Sequence, residues 1–447
     1  MPGHHPDRQI LERFMRNEAD APERRAVVLH LLTGCVQCVA VTRSLWNLAE
    51  APSDPAGGLA GESDGAIGRM LDELVRRGSR RQRRARSERQ VAPRRLAELR
   101  EIPAGLRLQK IAAGKRFRTP AVCELLIEES RAAREPGEAV EWAGLAVAAA
   151  AQLEAGPLGS TLVGSFRARA WGRLGDARRR AGDLAGAEEA LAAAAKALRA
   201  EADALDRAEL LVLQARLLAE QDRLDDAESL LGRALAFYRA LGERHLQGRV
   251  LILAAAVRNR RGGEPARHET IARLRAGLAR LDEDREPALA ASAFQRLAGM
   301  LIAAGEGEEA RTALGRARSL YERLADTPNL VRLRLLEGTL AGAAPAAEVA
   351  FREAMRESLL AGLAREAAQA LLELALLYAR QDRSEDLQRL AKELRPICQV
   401  PGAGMSVTMA LLFFRRLVET GYATQEVLVE VALFLGDSPK AQRAVWG

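Results

Sequence analysis

The chain has 447 residues, 48% of them hydrophobic and 28% charged, with a formal net charge of +7; that is length for two or three units of ordinary domain size, in a composition normal for a soluble protein. Aromatics are only 4%, and Ala, Leu and Arg abound while β-branched residues are scarce, which favours helix over sheet. No apolar run approaches the roughly 18–20 residues of a membrane helix (the best, SVTMALLFF, has nine), MPGHHPDRQ has no apolar signal segment, and Cys123 and Cys398 stand too far apart for a disulfide framework, so the expectation is a cytoplasmic, reducing setting without membrane contact.

Ile10, Leu11, Phe14 and Met15 fall at helical spacing and predict a first short helix. Asn17 to Ala21 interrupts it. Asp20 and Glu23 have capping-box spacing, with Pro22 tolerated in the first turn, and Val27, Val28, Leu31 and Leu32 give the second helix an apolar face. Thr33-Gly34 ends that helix, and a third is expected from Cys38 through Trp46 and Leu48. His30 then sits in the last turn of the second helix, Cys35 in a tight turn, and Cys38 at the start of the third. Two thiolates separated by two residues can face one ion from such a turn, and an imidazole from the preceding helical turn supplies a third ligand. Zn²⁺ takes four N or S ligands in a tetrahedron at about 2.0–2.3 Å. His5 or His4 is the nearby candidate for the fourth. Such a site would staple a module of about 45 residues, too small to rest on its core alone. The competing reading makes Cys35 and Cys38 small buried apolar residues and His30 a helix-end cation.

A first ligand, about 25 residues, and then His-x3-Cys-x2-Cys is the pattern of the zinc-binding anti-sigma factor domain, which residues 4–48 resemble. The gap is 24 residues from His5 to His30 and 25 from His4. Two features depart from the family: its usual first ligand is Cys where this chain has His, and four residues, Leu31 to Gly34, separate His30 from Cys35. The resemblance implies a sigma factor as partner and a structural zinc on His5, His30, Cys35 and Cys38, since four protein ligands leave no open position for water.

Residues 49–69 are rich in Gly, Ala, Pro and Ser and read as a linker; AIGRMLDELVRR then reads as helix. Arg76 to Arg95 carries ten Arg and one Glu, a local +9, so the rest of the chain sums to −2. Such a run can hold nucleic acid or an acidic protein surface by counterion release, although it lacks aromatics for base stacking. The alternative is a solvated connector, because all but five of the 67 Lys and Arg residues are Arg throughout the chain.

From about residue 120 the chain repeats. WGRLGDARRRAGDLAGAEEALAAAAKAL (171–198) places Trp171, Leu174 and Gly175 on one helix, a turn at Gly182-Asp183, and Ala187, Leu191 and Ala194 on a second. Gly175 and Ala187 are small where paired helices approach closely. The pattern recurs at Ala215, Ala227, Leu231 and Ala234, at Ala298, Gly305, Ala310, Leu314 and Ala317, and at Ala375, Tyr378, Asp382 and Leu387, with weaker copies near 139–146, 255–275 and 338–354. The second-helix small position falls near 187, 227, 267, 310, 347 and 387, a spacing of about 40 against 34 for the standard unit. Residues 120–395 resemble the tetratricopeptide repeat (TPR), which implies an all-α, right-handed solenoid that binds protein partners along its concave face. That face is expected to include Arg169, Asp176, Arg179, Glu209, Val212, Arg216 and Gln295. The expected organisation is 1–48 zinc module, 49–118 linker and Arg-rich connector, 119–400 solenoid and 401–447 closing helices.

No catalytic constellation is legible: there is no GxxxxGK loop and no HExxH, GEGEE (305–309) reads as a repeat turn, and His245 and His268 stand alone. The expectation is a regulatory or adaptor protein rather than an enzyme. A pure scaffold without a transcriptional role, and a nucleic-acid binder acting through Arg76 to Arg95, are its rivals.

Overall fold

The computed structural model describes residues 6–15, 18–20, 23, 26–27, 30, 35, 38, 85–155, 159–198, 203–261, 264–401 and 403–436. The chain divides into two compact units, Met1–Arg84 and Ala85–Gly447. The third N-terminal helix through Trp46 and Leu48, the 49–69 linker, the Arg run as far as Arg84, and His4 and His5 lie outside the described residues.

In the first unit, α1 (Arg8–Met15) buries Leu11 against Val27 and Cys38, with Ile10, Phe14 and Cys35 packed around them. The capping box forms as the sequence predicts: Glu23 N–H donates to the Asp20 carboxylate at 2.8 Å and Asp20 N–H to the Glu23 carboxylate at 3.3 Å. Glu23, Ala26, Val27 and His30 are helical, Cys35 is in no helix, and Cys38 is helical again.

The second unit is helical throughout, with no strand among the described residues. It opens with α2 (85–101) and α3 (Ala104–Ala113). Ala92, Leu96 and Leu99 of α2 are buried in one core with Ile111, Phe117 and Leu126, while Arg86, Arg89 and Arg94 point outward. The last part of the Arg run is therefore the outer face of a packed helix. Helix hairpins follow: α4 (Pro120–Ala132) with α5 (Pro136–Ala151), α6 (Ser160–Arg180) with α7 (Leu184–Ala197), α8 (Ala204–Glu220) with α9 (Leu224–Ala240), and α10 (Arg244–Arg260) with α11 (Glu264–Leu278). Then come α12 (Pro287–Ala304) with α13 (Gly307–Arg323), α14 (Thr327–Ala341) with α15 (Pro345–Leu360), and α16 (Ala364–Arg380) with α17 (Ser384–Lys392). After the short α18 (Arg395–Cys398), α19 (Met405–Glu419) and α20 (Gln425–Gly436) pack on α16 and α17. First helices also touch across hairpins, α4 with α6, α6 with α8, α12 with α14 and α14 with α16, so they share one face of the stack.

Small residues set this pairing. Ala139 and Ala146, Ala187 and Ala194, Ala227 and Ala234, Ala310 and Ala317, and Ala347 and Ala354 are pairs seven residues apart, each wholly buried on a second helix. Seven residues is about two helical turns, so each pair lies on one line facing the partner. A Cβ on Gly175 would come within 2.7 Å of Leu191 Cγ, and one on Gly338 within 2.4 Å of the Phe351 ring. In the α10–α11 hairpin the small position is not residue 267, which is Arg; Ala266 is buried instead, and Gly248 and Gly277 bring the two backbones together, a Gly248 Cβ falling 2.6 Å from the Gly277 carbonyl. Seven of the turns between successive helices share one device. A residue at the helix C-cap (Gly305) or just after it (Gly182, Asp222, Gly242, Ala325, Gly362, Asp382) is left-handed, and the next N–H reaches back to a carbonyl five residues earlier, as Asp183 does to Arg178 and Arg383 to Tyr378. The GEGEE segment is such a turn, with Gly305 at φ 80°.

By length and composition alone, α12, with 18 residues, is long and apolar enough to cross a membrane, an exception to the sequence reading. It nonetheless carries Gln295 and Arg296, and it buries Ala290, Ala293, Leu297 and Leu301 against neighbouring helices of the stack.

Two substitutions separate crowding from backbone strain. Gly175→Ala is expected to cost about 1–3 kcal/mol by overpacking against Leu191. Ala325→Gly, which relieves an exposed alanine at φ 51°, is expected to stabilise by roughly 1 kcal/mol. Melting temperatures of the full chain should therefore move in opposite directions.

Candidate functional site

The three N-terminal residues chosen from the sequence do converge. One ligand atom each from His30, Cys35 and Cys38 lie within 4.8 Å of one another. Cys38 is buried, and His30 and Cys35 are half-buried. The α1 helix roofs the cysteines with Leu11, Phe14 and Ile10. A tetrahedral zinc with S ligands at about 2.3 Å sets its sulfurs about 3.8 Å apart, so the spacing and the S, S, N donor set suit that ion. Burial, then the hydrogen bond and charge of Cys35, raise the Cys38 thiol above its ordinary value. Two sulfurs this close do not both ionise without a cation to hold them. His5, the expected fourth ligand, lies outside the described residues, as does His4.

The second site is built mainly by first helices. A cleft of about 940 Å³ runs over α6, α8 and α10, lined among others by Phe166, Arg169, Asp206, Glu209, Tyr238 and Arg249. Arg169 lies over the Phe166 ring at 5.7 Å and joins no ion pair among the described residues. Arg131 reaches across from α4 to Glu209 at 2.9 Å. Burial raises the Asp206 carboxyl, against a hydrogen bond from Ser165.

Beneath the cleft is a buried charge cluster. Asp176 is 4% exposed and takes ion pairs from Arg173 (2.7 Å), Arg179 (3.0 Å) and Arg216 (3.4 Å). Arg179, 3% exposed, also pairs with Glu220 of the next hairpin. Burial by itself would raise the Asp176 carboxyl, but the charges of Arg216, Arg173 and Arg179 outweigh it and hold the group below the usual carboxylate range. Three guanidiniums against two carboxylates leave one positive charge in excess.

Of the seven residues expected on the partner-binding face, Arg169 and Glu209 line the cleft. Asp176 and Arg179 are instead its buried support, Arg216 lies with them, and Val212 is core. Gln295 accepts a hydrogen bond from the Tyr321 hydroxyl at 2.8 Å. Sequence reasoning missed Tyr238, Arg249 and Phe166 because they fall outside the repeat pattern. The lone His245 is a packing residue: its Nδ1 accepts from Asp282 N–H at 3.1 Å, which places its proton on Nε2, 3.3 Å from Glu286. Cys123 is sealed in the core and its thiol is pushed up to about 12 by burial.

No family model and no curated protein sequence matches the chain. Among solved structures, it is similar to a signal-transduction ATPase with numerous domains bearing a tetratricopeptide-repeat sensor, from Pyrococcus horikoshii (14% identity, TM-score 0.51, 80% of this chain and 53% of that one). Aspartyl phosphate phosphatase F from Bacillus subtilis aligns at 12% identity over 90% of this chain and 97% of that one, with TM-score 0.46. A Rap protein complexed with competence and sporulation factor aligns at 12% identity over 76% and 88%, with TM-score 0.43. At such identities the likeness is one of fold, and the first of the three carries it: an all-α stack of TPR-like helix hairpins.

Asp176→Asn is expected to cost about 3–5 kcal/mol at neutral pH, because it leaves Arg173, Arg179 and Arg216 facing one another without their carboxylate. Glu348 is a second clamped carboxylate, held at about 2 by a hydrogen bond from Arg383, with Tyr378 and Arg352 assisting against burial. Both groups titrate lower folded than unfolded, so their stabilisation is complete above about pH 4.5 and is lost as pH falls through the folded values. Melting temperature should drop steeply below about pH 4.5, and Glu348→Gln should flatten that limb.

Proposed function

We propose that this chain is a protein-binding adaptor: its repeat stack holds a segment of a partner protein in the cleft over α6, α8 and α10, and a zinc ion staples its N-terminal module. The observation that carries the first half is the cleft itself. It offers exposed apolar surface (Leu162, Leu205), with the buried rings of Phe166 and Tyr238 behind it, beside charges of both signs on a charge-clamped floor. That mixture suits an extended peptide better than a small apolar ligand. The TPR-like fold supports the same reading.

For the module, His30, Cys35 and Cys38 would hold the zinc with His5 or His4 as fourth ligand, and the ion would supply folding energy rather than chemistry. Its resemblance to the zinc-binding anti-sigma domain makes a sigma factor the partner proposed for that end. The exposed Arg86, Arg89 and Arg94 on α2 leave room for a rival, nucleic-acid binding reading.

Metal analysis tests the staple. Purified full-length protein is expected to carry about one zinc per chain, and Cys35→Ser with Cys38→Ser to lose it while the helical content of the repeats is unchanged. Metal-free wild type with an intact, protease-resistant N-terminus would refute it. For the adaptor role, Arg169→Glu with Arg249→Glu should abolish co-purification of a partner that wild type retains, and Cys35→Ser should spare it. A sigma factor should be lost with the cysteines instead.

A further inference from the structure

Terminal repeats of a helical solenoid ordinarily present a polar outer face, because nothing further stacks on them. The C-terminal end of this stack does not. Along α19, Met405 (78% exposed), Met409 (54%), Leu412 (52%) and Phe413 (54%) form a stripe at helical spacing, and α20 adds Leu433 (53%) and Phe434 (56%). Val407, Ala410, Leu411 and Phe414 already seal the opposite face of α19 into the core, as Leu428, Val431 and Leu435 do for α20. Among the described residues the stripes are therefore surplus to the core.

We propose that this end is the contact surface of a homodimer, the outer face of α20 of one copy seating in the groove between α17–α18 and α19 of the other. Charge complementarity identifies a second copy as the occupant. The groove, about 640 Å³, is lined by Leu394, Leu412 and Val418 together with Lys392 and Arg395. Its further cation, Arg415, is already neutralised by Glu419 at 2.7 Å, so the groove carries a net +2. The outer face of α20 presents Glu426 and Glu430, one helical turn apart, followed by Leu433 and Phe434. It thus matches the groove in both its −2 charge and its apolar end. Lys392, Arg395, Glu426 and Glu430 are all exposed, and none joins an ion pair among the described residues. Each copy carries both halves, so a two-fold axis satisfies both at once and closes the assembly at two chains.

Sedimentation of the full chain tests this. Wild type should be a dimer at micromolar concentration. Lys392→Glu with Arg395→Glu, and separately Glu426→Lys with Glu430→Lys, should each raise the dissociation constant at least tenfold, and the fourfold variant carrying both reversals should restore dimerisation. All four positions are exposed, so circular dichroism and melting temperature should match wild type in every variant. Wild type that stays monomeric to 100 µM would overturn the proposal. So would a monomer that dimerises only in a chain shortened to Gly436, which would assign the stripes to residues 437–447. Dimerisation indifferent to both reversals would overturn it too, placing the contact elsewhere.

Discussion

Helices in this chain can pair only where their facing side chains are small enough to let the backbones meet. That constraint is met by alanines at two-turn spacing on the second helices, by Gly175 under Leu191, and by the Gly248–Gly277 contact where the alanine pattern lapses. Leucine and aromatic residues then fill what space remains, as Leu191, Phe351 and Tyr378 do. A single hairpin paired this way still has an open apolar stripe, and burial of that stripe against the next hairpin drives the stacking. Both ends of the stack must be closed as a consequence. At one end α2 closes it, with Ala92, Leu96 and Leu99 inward and arginines outward. At the other, α19 and α20 close the core but carry new apolar stripes outside.

Such tight pairing leaves little room for polar groups between helices, so those that are buried must be mutually satisfied. The Asp176 cluster shows how. It sits where α6 meets α8, it links two hairpins through Glu220, and it forms the floor on which the cleft residues stand. Its ion pairs tie that floor together, while the cleft above carries both signs. The N-terminal unit meets its own constraint differently. With Leu11, Ala19, Val27 and Cys38 as its buried apolar residues among those described, the proposed metal tie would replace a core of the size that the repeats possess.

What the sequence disclosed follows from how local each constraint is. Ala187, Ala227 and Ala310 repeat because the same steric contact repeats, so the hairpins could be read from spacing alone. The capping box of Asp20 and Glu23 and the grouping of His30, Cys35 and Cys38 are equally local, and all three ligand candidates lie together in space. The small position expected near 267 is Ala266, but the close approach of that hairpin is made by Gly248 and Gly277, a backbone contact that the alanine spacing does not mark. Asp176 and Arg179 read as surface charges, since their burial depends on Arg216 and Glu220 some 40 residues away. The end of the Arg run concealed a buried face, because Ala92 alone marks it within the run and Leu96 and Leu99, which continue it, lie beyond Arg95.

The most direct test of the neighbour-only stacking constraint is hydrogen exchange on the full chain carrying Gly248→Ala, where the added methyl meets backbone and has no flexible side chain to displace. Exchange should accelerate in α10 and α11 and in the adjoining α9 and α12, while α4 to α6 and α16 to α20 keep their protection. Uniform acceleration along the whole chain, or none at the α10–α11 crossing, would contradict the account.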